Sequence, residues 1–136
     1  MKQLDKNMVD QEEEEIKSLI RKLPDNQRSI YYKSIEDKIK DPDTYATLNY
    51  ALIFGLHHFY LKRWGSGITD LIFSSLGVIG IYIGLNDNSD RLFYMGLFFI
   101  IIISIWELIA LFNSQIIVQD HNNKVMREEL NLLNHY

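Results

Sequence analysis

The 136-residue chain has no cysteine, which removes disulfides, thiolate nucleophiles and cysteine-type zinc sites. Proline occurs only twice, at Pro24 and Pro42, and each interrupts a helical periodicity. No basic excess exists. The formal net charge is −4, and phosphate recognition needs clustered Lys and Arg, so no nucleic-acid partner is expected. The first residues, Met-Lys-Gln-Leu-Asp-Lys-Asn, carry no apolar stretch behind the lysine, and a cleavable signal is not expected there. A Gly-rich phosphate loop, a nucleophile elbow and a metallohydrolase helix are also missing. The expectation is therefore a protein that is not an enzyme and holds no cofactor.

What is present is unevenly spread. Nine of the 14 Lys and Arg and eleven of the 18 Asp and Glu precede Thr44, so a polar front is followed by an apolar back. In the front, Ile16, Leu19, Ile20 and Leu23 share one helix face, and Ile30, Tyr31, Ile35 and Ile39 repeat that spacing. Residues 1–43 thus read as an amphipathic helical segment on the cytoplasmic side, a surface for a cytoplasmic protein partner or for other copies. The acidic run Glu12 to Glu15 reads as its solvated face.

Asp43 can cap a helix starting at Thr44. Its apolar run is too short to span a bilayer, which takes about 20 residues, so residues 44–64 read as an interfacial or partly inserted helix. Phe59, Tyr60 and Trp64 would form an aromatic belt there. Residues 67–85 and 92–118 read as two spans, joined by the polar loop from Asn86 to Arg91, and residues 120–136 as a cytoplasmic tail. The expected fold is an all-α membrane protein, a transmembrane helical hairpin behind that partly inserted helix and the amphipathic segment. Eleven Lys and Arg precede the first span, two follow the second, and Arg91 alone lies between. That asymmetry predicts both termini in the cytoplasm.

Ser74, Gly77, Gly80 and Gly84 recur along one face of the first span. Small residues let helix backbones approach closely in lipid, so this face predicts either packing against the second span or an oligomer interface. Asp70 and Glu107 are acids within or at the edge of the spans, where an unpaired charge costs several kcal/mol. Glu107 is expected to pair with Lys62, Arg63 or His57. The adjacent His57 and His58 are expected to point apart on a helix, and no metal is expected.

Gly55-Leu56-His57-His58-Phe59-Tyr60-Leu61, then Gly67, then Ile105-Trp106-Glu107-Leu108-Ile109 and finally Asn122 resemble the two-transmembrane-segment family called the TM-two domain. The likeness runs from about residue 46 to 125, and the short polar front resembles its bacterial members, which implies a bacterial inner membrane. That family reads Gly-x-x-Gly-x-His-Arg-Phe-Tyr-Leu-Gly near its first helix, Trp-x-x-x-Asp in its second span and Asn after it. Here His58 replaces the Arg, Lys62 the last Gly and Ala110 the Asp. The resemblance implies a fold and a membrane location, and no general activity.

The expected function is a non-enzymatic integral membrane protein, a homo-oligomer embedded in the lipid bilayer, that serves as a scaffold or partner-binding module. The alternatives are a pore-forming or membrane-perturbing effector with Glu107 or Asp70 on a lumen, and an assembly factor for other membrane proteins.

Overall fold

The structure is a computed structural model that describes residues 5–51 and 55–133. Among these, seven helices and no strand occur: α1 (Lys6–Arg21), α2 (Asp25–Ile35), α3 (Pro42–Ala51), α4 (Leu56–Tyr60), α5 (Trp64–Asn86), α6 (Asp90–Phe112) and α7 (Ser114–Leu133). The chain divides into two compact units, one made of residues 1–42 and 115–136 and the other of residues 43–114. These boundaries differ from those expected, because the C-terminal stretch read as a tail belongs to α7 and folds with the N-terminal helices.

The first unit closes a small core. Asp5 starts α1 by accepting a hydrogen bond from the Asn7 backbone N–H at 2.9 Å. Pro24 and Asp25 end one periodicity and open the next, as proline fits a helix start but not its interior. Ile16 and Ile20 from α1, Tyr31 and Ile35 from α2 and Leu130 from α7 then form one buried cluster, flanked by Leu23, Ile39, Met126 and Leu133. Each fully buried aliphatic side chain contributes roughly 1.5–3 kcal/mol. Two long-range hydrogen bonds fix the register. The Tyr31 hydroxyl donates to the Met126 carbonyl at 3.2 Å, and the Asn123 amide donates to the Val9 carbonyl at 2.9 Å. Val9 is itself buried, although its spacing did not mark it as a core position.

The acidic run is not merely solvated. Arg127 of α7 pairs with Glu12 at 3.0 Å and with Glu15 at 3.2 Å, while Glu13 takes Lys17 at 2.7 Å. Lys17 beside it holds the Glu13 carboxyl below the usual carboxylate range, and Lys38 does the same for Glu129.

In the second unit, α5 and α6 are each 23 residues and apolar enough to cross a membrane. Only 17% of the apolar stretch of α5 and 22% of that of α6 is buried within the chain. Large residues such as Ile72, Leu76, Ile79, Phe98 and Ile102 face outward instead. Ser74, Gly77 and Gly84 are buried between the helices. A Cβ on Gly80 would lie 3.1 Å from the Gly96 Cα, one on Gly84 2.4 Å from the Phe93 N, and one on Gly96 2.6 Å from the Gly77 carbonyl oxygen. The small-residue face is therefore occupied by α6 of the same chain.

The second apolar helix ends earlier than the run to Val118 suggests. The Asn113 backbone N–H bonds back to Ile109, and its side-chain amide donates to the same carbonyl at 2.7 Å, which closes α6 at Phe112. Upstream, the single helix expected over 44–64 is two helices. Pro42 supplies the first helical position, which its fixed φ suits, and Asp43 falls in the first turn rather than at the cap.

Candidate functional site

Apart from Ser74, the second unit gathers its buried polar side chains at one end of the hairpin. Asp70 lies six residues into α5 and Glu107 five residues before the end of α6. With about 1.5 Å of rise per residue, both acids stand roughly 8–9 Å inside the helix ends, at the end away from the Asp87–Ser89 loop. The antiparallel pairing that sets Gly80 on Gly96 also puts them at one level.

The five-residue α4 faces them. Gly55 enters it at φ +69°, and a Cβ there would fall 2.8 Å from the Asp70 Cβ, so both backbone and space require glycine. This turn delivers two imidazoles. His57 Nε2 lies 3.3 Å from a Glu107 carboxylate oxygen, and His58 Nε2 lies 2.9 Å from an Asp70 oxygen. The two rings do not point apart as expected. Their centroids are 4.1 Å apart with an interplanar angle of 41°, because α4 packs on α5 with both side chains turned toward the acids. Glu107, His57, His58 and Asp70 thus form one continuous array.

α3 completes it. The Tyr45 ring packs edge-on against His57 at 5.0 Å, and the Asn49 amide donates to the Glu107 backbone carbonyl at 3.1 Å. Both residues are buried and both escaped the sequence reading. Their spacing of four on one face of α3 was the available signal. His57 is fully buried, yet neither ring nitrogen makes a hydrogen bond of good geometry, and the same holds for both Glu107 carboxylate oxygens and the Tyr45 hydroxyl.

The remaining expected site residues scatter by role. The Phe59 ring fills the space that a Cβ on Gly67 would need, 2.7 Å away, and packs edge-on to Trp64. Leu61 is buried, Tyr60 is partly buried, and Trp106 faces outward, away from the array. Lys62, where the resemblance implies glycine, adopts φ +57°. Asn122 lies in the other unit. Its amide donates to the Lys40 carbonyl and accepts from the Lys40 backbone N–H, both at 2.8 Å. Ala110 is buried three residues beyond Glu107.

Chemically, the array sets two imidazoles beside two carboxylates, within 3.3 and 2.9 Å. It ties α4 to both long helices. Among the described residues no group of three or more His, Asp or Glu is arranged to hold a metal ion. Comparison with known protein families, with characterised proteins and with solved structures gave no match.

Proposed function

We propose that the chain is an integral membrane protein of the TM-two domain type, of bacterial kind and with both termini in the cytoplasm. It acts without catalysis, as a self-associating scaffold or partner-binding module. The observation that carries this reading is the inverted burial of the hairpin. Glycine backbones fill the contact between α5 and α6 while Ile, Leu and Phe side chains face outward, an arrangement that water penalises and lipid accepts.

Further support comes from the aromatic residues. Trp64 and Tyr82 are exposed near opposite ends of α5 and lie about 27 Å apart along it, close to the thickness of a hydrocarbon core. In this reading α3 and α4 are partly inserted, since Gly55 packs on Asp70 well inside the helix end. Irregular backbone at such depth needs protein cover, and Gly55 is buried. His57 and His58 then give polar neighbours to two acids that lipid would penalise.

The glycine face is already used within the chain, so copies or partners meet through other surfaces. On the first unit Met8, Ile30, Tyr32 and Leu132 are exposed apolar side chains that suit this role. The test exploits the missing cysteines. A single cysteine at Asn88 should react with an impermeant maleimide in intact cells, and one at Ser18 only after permeabilisation. The opposite pattern would overturn the orientation. Photo-crosslinking from positions 8 and 30 should capture either a second copy or a defined protein, and a strict monomer without adducts would overturn the scaffold.

A further inference from the structure

The first unit contains a cavity of about 420 Å³, within the size range of small-molecule sites. Ile39, Val118 and Met126 supply an apolar wall, and Glu13, Gln119 and Asn123 supply the polar one. No Lys, Arg or His lines it.

Gln115 and Asn122 also line the cavity, and acceptors come from Glu13, Gln119 and Asn123. Gln119 spends its amide N–H groups on Asp10 at 2.9 Å and on Glu13, which leaves its carbonyl oxygen to accept. Two carboxylates meet that one amide, and Lys17 offsets one of them. Asn123 is fully buried, and its amide is committed to the Val9 carbonyl while its Oδ1 has no hydrogen-bond partner. Leaving such an atom unpaired costs roughly 1–3 kcal/mol. A ligand that brings donors, positive charge and a short apolar body would complement these features. An ammonium has three donors and no acceptor.

We propose that this cavity binds a primary alkylammonium, with the ammonium against Glu13, Gln119 and Asn123 and the carbon chain along Ile39, Val118 and Met126. The source is a free amine or the ethanolamine of a lipid headgroup. An anionic ligand is disfavoured by the two carboxylates, and a purely apolar one would leave the Asn123 oxygen unpaired.

The test uses the full chain in phosphatidylcholine nanodiscs, titrated with n-pentylamine by calorimetry and by side-chain amide NMR. Saturable binding should perturb the Gln119 and Asn123 amide signals. n-Pentanol, with the same carbon body, should bind at least about tenfold more weakly. Glu13→Gln should weaken the amine about tenfold, and Ile39→Phe, which fills the cavity without altering charge, should also weaken it. Circular dichroism verifies that both variants fold. In discs containing phosphatidylethanolamine, competition with pentylamine identifies the lipid as the source, whereas unchanged affinity identifies a free amine; either result supports the site. Equal binding of pentanol, no saturable binding, or full affinity in Glu13→Gln overturns it.

Discussion

His57 and Glu107 face each other across 3.3 Å although 50 residues separate them, and the helix that carries His57 is only five residues long. One turn of backbone thus anchors to a 23-residue helix through a buried imidazole and acid. Truncating Glu107 to Ala should leave His57 buried beside an empty position and destabilise the hairpin unit by about 1–3 kcal/mol. Glu107→Gln should cost less, because it keeps the volume and a hydrogen-bonding group. Thermal unfolding in detergent, followed by circular dichroism, ranks the two. A double-mutant cycle with His57→Ala should show a coupling of roughly 1 kcal/mol, and zero coupling would show that the two side chains do not interact.

Gly55 and Gly65 make a matched pair for testing the turn. Gly55 has φ +69° and no room for a Cβ beside Asp70, whereas a Cβ on Gly65 meets nothing within 4 Å. Gly55→Ala should destabilise by about 1–3 kcal/mol. Gly65→Ala, in the first turn of α5, should be neutral or stabilise by up to about 1 kcal/mol. Equal effects in the same unfolding assay would contradict the geometry.

Much of this architecture was legible in local pattern. Ile16, Ile20, Tyr31 and Ile35 have helical spacing and form the core, and the glycine face of α5 follows from the positions of Ser74, Gly77 and Gly84. The end of α6 was not legible, because hydropathy averages over Asn113 while a side-chain hydrogen bond to Ile109 ends the helix there. The acidic run gave no hint of its partner, since Arg127 lies 115 residues from Glu12 and pairing at that distance leaves no local period. Tyr45 and Asn49 do share one helix face, but nothing local names their partners, His57 and the Glu107 carbonyl. The approach of His57 to Glu107 was anticipated among three candidates, but the contact between the two imidazoles depends on how one short helix packs on α5.

Tyr31 offers a pH test of the first unit. Burial, with smaller contributions from Tyr32 and Glu129, pushes its hydroxyl up from 10.0 to about 12. The folded state therefore holds this proton where the unfolded chain has lost it. Its contribution to stability is complete below about pH 10 and disappears as pH rises toward about 12. Tyr31→Phe should lower stability near neutrality by about 1 kcal/mol, through loss of the bond to the Met126 carbonyl. It should also flatten the alkaline decline between those pH values relative to the unsubstituted chain. Helicity measured against denaturant at several pH values provides the comparison, and parallel curves would remove Tyr31 as the cause.

Asn122 bridges both backbone groups of Lys40 with one side chain. Ala at this position should cost about 1–3 kcal/mol for two lost bonds. Asp should cost roughly half as much, because it can still accept from the Lys40 N–H but cannot donate to its carbonyl. Amide hydrogen exchange at Lys40 provides the local readout. Protection should fall strongly in Asn122→Ala and partly in Asn122→Asp, and unchanged protection in the Ala variant would refute the bridge.

Lys62 closes the turn between α4 and α5 at φ +57°, a conformation that costs a residue with a Cβ about 1–2 kcal/mol. Its backbone N–H bonds to the Phe59 carbonyl at 2.9 Å, and glycine would preserve that bond. Lys62→Gly should therefore stabilise the second unit by up to about 1 kcal/mol, part of the gain being lost to the freer unfolded chain. Lys62→Val should destabilise it, since a β-branched side chain tolerates the left-handed region least. Because the lysine is exposed, loss of its charge should change stability little, and Lys62→Gln provides that control. If Gly and Gln behave alike, the backbone conformation is not what limits stability at this turn.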